Sequence, residues 1–363
     1  MVSTGGAVSL VPSWLLPDDA GGAPGQPTPG TARRAGSLAR LRRAGACLMP
    51  PVLDRTAYLE RLLSVDRPGS GSILAFYEHR VGAICHDPKL MLMPLDDHLA
   101  HRGDGIFESM KYEHGRIYQL EAHLERMARS AEGLYLEPPC TWDALREVVI
   151  DVARASGCEC GMLRVLVGRG PGGFGIDPAE CPEASLYVAA YKFTPKDEAW
   201  YAKGLTAFRS AIPAKQGYLA RIKNANYLPN VFMTREAHQR GMDVAFSFDE
   251  EGFLAEAAIA NVALVDAQGA LVVPEFSNAL AGTTVLRAME LAQGEMPVTF
   301  RKVREDDLYA AREVLVLGTS SDCVGVVAFE GRPVGDGRPG PVSARLRALL
   351  QADLLASGTP FLG

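Results

Sequence analysis

The chain has 363 residues, of which 47% are hydrophobic, so it can bury more than one core, and its size favours two domains. Its formal net charge of -6 and pI near 5.7 argue against the clustered basic surface typical of nucleic-acid binding. No apolar run reaches the roughly 20 residues that a membrane-spanning helix needs, so we predict neither a nucleic-acid nor a membrane partner.

The cysteines are odd in number and scattered, which argues against a disulfide scaffold in a chain of this length. Cys158 and Cys160 form a close pair. This pair lacks the two-residue spacer and the second pair of ligands typical of a zinc site, so no metal is predicted. The cysteine pattern therefore favours a reducing, cytoplasmic location.

Residues 1–48 differ in composition from the rest of the chain. They contain a Gly- and Pro-rich run, followed by several arginines with few acids. Three interpretations remain open: a disordered tail, an arginine-rich targeting segment, or an over-extended start, since Met49-Pro50-Pro51 opens a plausible protein.

The remaining chain shows both helical and strand periodicity, which predicts an α+β fold. Residues 49–195 are predicted to form a small domain and residues 200–358 a larger one, separated by the polar, proline-containing stretch Thr194–Glu198. The predicted helices span 54–63, 121–134, 142–155, a segment from near 223 to about 241, a segment that follows 282–284, and 342–356. The predicted strands span 73–77, 81–85, 106–113, 117–120, 162–167, 184–191, 205–212, 244–248, 271–274 and 313–317.

The Gly-rich run at residues 168–175 follows a predicted strand, as a phosphate-binding loop would. However, no Gly-Lys-Ser/Thr follows it, and Ile176-Asp177-Pro178 does not open a long helix. We therefore predict a mobile loop or hairpin at this position.

Lys223 stands among small, amide and aromatic residues in Arg221–Asn230. One interpretation is a solvated lysine at a helix start, and on this segment alone it is favoured. The other is an amine that forms a Schiff base with a carbonyl cofactor. For Arg126, likewise, its own segment favours a solvated helix arginine, because it lies off the apolar stripe of its helix.

Pyridoxal phosphate would need cations and N–H groups at its phosphate, an acid at its ring nitrogen and a donor at its phenolic oxygen. Gly282-Thr283-Thr284 and Gly318-Thr319 offer N–H groups and hydroxyls, and Thr283 is a predicted N-cap. Arg126 offers a guanidinium that can donate two parallel hydrogen bonds to the phosphate. Glu256, predicted to be buried among short apolar residues, would be stabilised opposite a protonated ring nitrogen.

Tyr227 lies one helical turn past Lys223 if this segment is a helix, so it could face the same side and donate to the phenolic oxygen. Lys223 is the candidate base that moves the substrate proton from Cα. Its amine must be neutral for this, and a dry site with nearby positive charge would lower its pKa.

Several motifs of the chain resemble those of class IV pyridoxal-phosphate aminotransferases. This group includes branched-chain aminotransferase, D-amino-acid aminotransferase and aminodeoxychorismate lyase. The order and spacing of the motifs agree over about residues 72–356. They are His101–Glu108, Glu121–Arg126, Ile222–Leu228, Glu256 with Asn261, Leu280–Thr284 and Leu317–Thr319.

The resemblance implies a role for each site residue and a fold. The fold would be the two-domain fold type IV, with a small α/β N-terminal domain, a larger domain with a barrel-like sheet, and the cofactor in the cleft between them. A homodimer would complete the substrate pocket. The implied roles are Schiff-base lysine for Lys223, phosphate ligands for Arg126, Thr284 and the backbone of Thr283 and Thr319, ring-nitrogen partner for Glu256 and phenolic-oxygen donor for Tyr227.

The departures from the family pattern bear on the substrate. Arg102 stands where branched-chain enzymes typically carry tyrosine, and Met162–Val165 replaces their Tyr-x-Arg-Pro run. Ala257 follows the glutamate motif, where glycine is frequent. Arg164 or Arg102 could bind a substrate carboxylate, although a structural Arg164 fits equally well. Phe107 is a further candidate substrate residue.

The resemblance implies an amino-acid aminotransferase of the branched-chain type, which would exchange an amino group with a 2-oxo acid by a ping-pong mechanism. Three alternatives stay open. The run Arg169–Gly173 looks somewhat like the pyruvate-releasing aminodeoxychorismate lyase, whereas Tyr227 looks more like the transaminases. A D-amino-acid aminotransferase and a cofactor-binding protein without turnover are the others.

Overall fold

The computed structural model describes residues 49–362. The chain divides between Glu60 and Arg61, and the second unit, which runs from Arg61 onward, is compact. The interpretations of residues 1–48 therefore lie outside the described residues. The boundary expected at residues 195–200 falls within the second unit and stays a prediction. Within residues 49–362, no helix is long and apolar enough to cross a bilayer.

Most of the predicted helices begin and end close to the predicted positions, whereas the short helices at 98–102, 198–203, 217–220 and 305–310 were not predicted. The helix predicted over residues 142–155 is observed with those bounds, and the Thr141 hydroxyl accepts a hydrogen bond from the Ala144 N–H at its start. The α-helices of the described residues are α1 (Arg55–Ser64), α2 (His98–Arg102), α3 (Leu120–Gly133), α4 (Trp142–Ala155), α5 (Glu198–Lys203), α6 (Gly217–Ala220), α7 (Leu228–Arg240), α8 (Thr283–Ala292), α9 (Glu305–Ala310) and α10 (Pro341–Ser357).

The first sheet is antiparallel throughout, with strand order β16-β4-β3-β5-β6-β1-β2. Its core lies on the face that α3 and α4 cover. The last strand of the chain, β16, joins the edge formed by β4. The strands are β1 (Ile73–Glu78), β2 (Ala83–Cys85), β3 (Gly105–Glu113), β4 (Arg116–Ile117), β5 (Gly161–Gly168), β6 (Ser185–Tyr191) and β16 (Thr359–Pro360).

Side chains of β3 alternate between the two faces of this sheet, as a strand period of two requires. Ile106 and Met110 point into the helix-covered core. Ser109 therefore points to the opposite face, and in the register of the sheet it pairs with Arg164 of β5. This face, which also carries Phe107, borders the cavity described below.

The second sheet is mixed, with strand order β12-β11-β10-β13-β14-β7-β8-β9 and β15 paired to β14. The pairs β11–β12, β14–β7 and β7–β8 are parallel. Its strands are β7 (Leu205–Arg209), β8 (Val244–Phe248), β9 (Leu254–Ala257), β10 (Asn261–Val265), β11 (Leu271–Pro274), β12 (Val298–Arg301), β13 (Glu313–Gly318), β14 (Asp322–Phe329) and β15 (Arg332–Pro333).

Both faces of the second sheet are buried, which explains why its central strands are continuous apolar runs. In β13, Val314 and Val316 belong to one core, together with Phe246. Leu315 and Leu317 belong to the other core, which α8 and α10 cover.

Three local predictions were wrong in detail. The chain between Lys223 and Tyr227 is not helical, because α7 begins only at Leu228, with a proline in its first turn. The N-cap of α8 is Gly282, so Thr283 is the first helical residue. The return strand predicted over residues 117–120 ends at Ile117, because α3 already begins at Leu120.

Candidate active site

A cavity of about 390 Å³ brings together residues from both sheets and from the turns between their elements. Among the residues that line it are nine of the ten predicted site residues; the tenth, Arg102, lies elsewhere. The nine are Phe107, Arg126, Arg164, Lys223, Tyr227, Glu256, Thr283, Thr284 and Thr319.

Backbone hydrogen bonds hold the Lys223 segment against β3. The Phe107 N–H donates to the Lys223 carbonyl at 3.0 Å, and the Ala225 N–H donates to the Gly105 carbonyl at 2.9 Å. The Lys223 N–H in turn donates to the Ser130 hydroxyl of α3 at 3.2 Å. The main chain of Lys223 is thus fixed from two sides, which directs its side chain into the cavity.

The Lys223 amine lies 3.3 Å from the Tyr227 hydroxyl and 4.6 Å from the centre of the Phe107 ring. Burial and the positive charge of Arg126 lower the pKa of Lys223 to about 8. A useful fraction of this amine is therefore neutral near neutral pH, as a nucleophile or base requires. This environment differs from that of a solvated lysine at a helix start.

Tyr227 reaches Lys223 although the chain between them is not helical. Burial, reinforced by the negative charge of Glu256, raises the pKa of Tyr227 to about 12. The phenol therefore keeps its proton and can donate a hydrogen bond into the cavity.

Arg126 is buried, with 6% of its surface exposed, so the interpretation as a solvated helix arginine is wrong. Its Nε and Nη2 donate to the two carboxylate oxygens of Glu108, at 2.7 and 2.6 Å. The two guanidinium nitrogens of Arg126 that were expected to bind a phosphate therefore bind the carboxylate of Glu108 instead. The remaining nitrogen, Nη1, lies 3.4 Å from the Ala281 carbonyl, beside the start of α8.

Sequence reasoning did not single out Glu108, which is fully buried between Arg126 and His123. Burial opposes its ionisation, but the charge of Arg126 and the hydrogen bonds from Arg126 and His123 outweigh this and lower the pKa of Glu108 to about 2. The signal was present, since a carboxylate at a core position of a strand needs a buried partner.

His123 extends this network to the turn that precedes α8. Burial lowers its pKa, so the imidazole is neutral, its Nδ1–H donating to Glu108 at 2.7 Å. Its Nε2 then accepts from the Thr283 hydroxyl at 3.3 Å. One hydrogen-bonded chain of residues therefore connects β3, α3 and the N-terminus of α8.

Replacing Glu108 by glutamine is expected to lower the free energy of unfolding by about 3–5 kcal/mol, because Arg126 loses the charge that compensates it. Chemical denaturation of the cofactor-free protein measures this loss. The matched control is Glu121→Gln, which breaks an exposed pair with Arg146 and should cost at most about 1 kcal/mol. Equal losses in the two variants would contradict the role of Glu108.

One end of the cavity presents N–H donors. Thr283 and Thr284 open α8, so their N–H groups have no acceptor within the helix. The Thr319 N–H, in the turn between β13 and β14, also has no acceptor among residues 49–362. Gly282 lets the chain approach closely here, since a Cβ on it would lie 2.0 Å from Asn261 Oδ1. Together with Arg126, these donors suit a phosphate dianion.

Glu256 also faces the cavity, from β9. Its Oε2 accepts from the Leu280 N–H at 3.1 Å, and Asn261 holds the same loop through the Leu280 carbonyl at 2.8 Å. Burial raises the pKa of Glu256 to about 7, although the Leu280 N–H and the charge of Lys215 oppose this. A cationic N–H opposite this carboxylate would stabilise its ionised form.

The three candidate substrate residues do not lie together. The Arg164 guanidinium stacks over the Phe107 ring at 4.8 Å, and both line the cavity. Arg102 instead donates to the carbonyls of Phe174 and Gly175, the former contact being short and the latter 2.8 Å. It therefore holds the Gly-rich segment, which forms the loop of the β5–β6 hairpin.

The donor set fits pyridoxal phosphate: an amine of lowered pKa, an N–H cluster for the phosphate, a carboxylate for the ring nitrogen and a phenol for the ring oxygen. Within residues 49–362, no cluster of three or more His, Cys, Asp or Glu side chains could hold a metal ion.

Known proteins match this chain over most of its length. The family model for amino-transferases of class IV matches residues 105–329. The chain is 33% identical over 317 residues to the D-amino-acid transaminase, chloroplastic, of Arabidopsis thaliana, covering 85% of this chain and 83% of that protein. It is 28% identical over 262 residues to a putative branched-chain-amino-acid aminotransferase of Methanocaldococcus jannaschii, covering 72% and 91% of the two chains.

Solved structures agree. A branched-chain amino acid aminotransferase from T.th., solved with pyridoxamine 5'-phosphate, superposes with a TM-score of 0.74 at 26% identity, covering 78% of this chain and 95% of that one. The expected α+β fold of type IV, with its two curled sheets, is confirmed, and so is the cofactor. The chain therefore belongs to the class IV aminotransferases, enzymes that use pyridoxal 5'-phosphate.

Proposed function

We propose that this enzyme transfers the amino group of a branched-chain-type amino acid to a 2-oxo acid by a ping-pong mechanism. The observation that carries the proposal is the placement of the Lys223 amine, 3.3 Å from the Tyr227 hydroxyl, in the cavity that Glu256 and Arg126 also line. A nucleophilic amine, a proton donor and an ionisable carboxylate thus converge on one space.

In this proposal Lys223 has two tasks at one nitrogen. Its amine would hold the cofactor covalently, and as a neutral amine it would accept the proton from the substrate Cα. When bound, the cofactor supplies a ring that accepts the electrons left by that proton. Glu256 would hold the ring nitrogen protonated, and Tyr227 would donate to the ring oxygen.

The remaining roles are those of anchoring. Arg126, Thr284 and the N–H groups of Thr283 and Thr319 would hold the phosphate. Glu108 supports this end indirectly, because it fixes the orientation of the Arg126 guanidinium. A phosphate held in this way would limit the positions that the cofactor can take relative to Lys223.

The cavity wall supports an aliphatic substrate that carries a carboxylate. Phe107, Met162, Tyr191 and Ile259 give this wall an apolar surface, and Arg164 adds one cation. Apolar side chains suit a branched aliphatic group, and the guanidinium suits a carboxylate. The branched-chain aminotransferases among the relatives support the same choice.

A D-amino-acid transaminase is the second candidate function. The observation that favours it is the relative of that name from Arabidopsis thaliana, at 33% identity over 85% of this chain. The two candidates differ in the chirality of the donor.

A panel of L- and D-amino acids, read by the cofactor spectrum of the purified protein, separates these functions. We expect L-leucine, L-isoleucine or L-valine to convert the cofactor to its amine form, and 2-oxoglutarate to restore it. Conversion by D-amino acids alone would select the second candidate. Failure of every amino acid and 2-oxo acid to change the spectrum, with pyruvate released from aminodeoxychorismate, would contradict transamination and favour the lyase.

We also propose that the enzyme is a homodimer and is cytoplasmic. The exposed apolar side chains Leu228, Val231 and Phe232 on one helix support association. Light scattering of the purified protein should give twice the chain mass.

A further inference from the structure

A second lysine, Lys215, lines the same cavity as Lys223. Its amine lies 4.5 Å from the centre of the Tyr227 ring. None of the hydrogen bonds or ion pairs among residues 49–362 engages this amine, and burial lowers its pKa. A half-buried cation without a close anion needs a reason, because desolvating its charge is costly.

Glu256 is the charged group that acts on Lys215, raising its pKa against the effect of burial. The two residues are held by the same short loop. Asn278 Nδ2 donates to the Lys215 carbonyl at 2.9 Å, and the Leu280 N–H donates to Glu256 Oε2 at 3.1 Å. Loop 278–280 therefore contacts both the main chain of Lys215 and the carboxylate of Glu256, and both residues line one cavity.

The other charged or titratable groups that act on Glu256 or respond to it are committed elsewhere. Arg126 is paired with Glu108 through two hydrogen bonds. Lys223 must be neutral to act as a base, and Tyr227 keeps its proton. Lys215 is the remaining cation among the groups that favour ionised Glu256.

We propose that Lys215 is a positioning residue, whose charge favours the ionised form of the Glu256 carboxylate, the form that would hold the proton on the cofactor ring. This inference rests on the proposed role of Glu256. Lys215 acts through Glu256 and through the field in the cavity, without a direct ion pair, so the carboxylate keeps Oε1 available for the ring nitrogen. The competing explanation, that Lys215 binds a substrate carboxylate, predicts different results below.

The decisive measurement is the titration of Glu256 in the cofactor-free protein. This titration can be followed by carbon-13 NMR of protein in which the glutamate carboxyl carbons are labelled. The signal of Glu256 is the one that is absent from the spectrum of Glu256→Gln. In Lys215→Met the midpoint of the Glu256 titration should rise by about one pH unit. The reason is that the variant loses one positive charge in a cavity where water screens charges weakly. Lys215→Arg should restore the original midpoint. Lys302→Met, which removes an exposed lysine paired with Glu251, is the matched control.

A second measurement uses the loaded enzyme. The acid limb of the pH profile of kcat should move to higher pH in Lys215→Met, while KM for 2-oxoglutarate changes little. An unchanged midpoint for the titration of Glu256 in Lys215→Met would overturn the proposal. A raised KM for 2-oxoglutarate, with no shift in the acid limb of the kcat profile, would identify Lys215 as a substrate-binding residue instead. If Lys215→Met does not fold, Lys215→Gln removes the same charge and is judged by the same midpoint.

Failure of this inference can be distinguished from failure of the proposed function. The NMR titration needs no cofactor and no substrate. An enzyme that takes up no pyridoxal phosphate would refute the proposed function while leaving the Lys215–Glu256 coupling measurable. An active transaminase whose Glu256 titrates independently of residue 215 would refute only the inference.

Discussion

Replacing Lys223 by alanine should lower the rate of amino transfer by at least about a thousandfold, because one nitrogen serves as both nucleophile and base. The amine of Lys223 has its pKa lowered to about 8, and Lys215, the other lysine of the cavity, contacts Tyr227 from a different position in the chain. Steady-state rates with the best amino donor measure the loss. Borohydride reduction followed by peptide mapping should place the reduced cofactor on Lys223 in the unsubstituted enzyme.

Lys302→Ala is the control for this prediction. It removes a lysine that is paired at the surface with Glu251 and lies outside the cavity. Its rate should equal that of the unsubstituted enzyme. A Lys223→Ala protein that keeps its rate, or a borohydride-treated enzyme whose residue 223 is unmodified, would refute the covalent role.

Replacing Glu256 by glutamine should lower kcat by at least about a hundredfold, while the dissociation constant of the cofactor changes only a few-fold. The amide keeps the shape of the side chain and the Leu280 contact, but it cannot stabilise a proton on the ring nitrogen. The cofactor keeps its phosphate anchors and its link to Lys223. Single-turnover rates with an α-deuterated amino acid isolate the proton-transfer step, and equilibrium dialysis gives the affinity.

The pH dependence of stability gives an independent check on Glu256. Burial raises the pKa of this carboxyl from 4.5 to about 7 in the folded protein. The protonated Glu256 carboxyl therefore stabilises the folded, cofactor-free protein. This contribution is fully present below the unfolded-state pKa of 4.5, and it is lost as pH rises through the folded-state pKa of about 7. Glu256→Gln should flatten this part of the profile. If Glu256→Gln has the same stability profile as the unsubstituted protein, or the same rate of proton transfer, the proposed environment of Glu256 is contradicted.

Local sequence was enough to locate most of the candidate site. Lys223, Glu256 and the two Gly-Thr turns stand in stretches whose composition differs from that of their surroundings, and their order matched a known pattern. Most strands and helices were also predictable, because alternation and helical periodicity record which side chains are buried. The start of α4 is stabilised by Thr141, a capping contact between neighbours in the chain.

Contacts between distant residues could not be read in this way. Glu108 binds Arg126, 18 positions away, and His123 meets Thr283, 160 positions away. Arg126 therefore looked like a surface arginine on its own helix. Arg102 shows the reverse: it stands in a motif associated with the site, yet its guanidinium holds the loop at Gly175.

By itself, the amino-acid order determined most of the elements, the family and the candidates for the groups that perform the chemistry, since these depend on neighbouring residues and on their spacing. Only the folded chain decided which charges face one another, and hence which side chains are neutral. The pKa values of Lys223 and Glu256 depend on burial and on groups such as Arg126 and Lys215. Electrostatic energy depends on distance through space and on exclusion of water, neither of which the order of residues states.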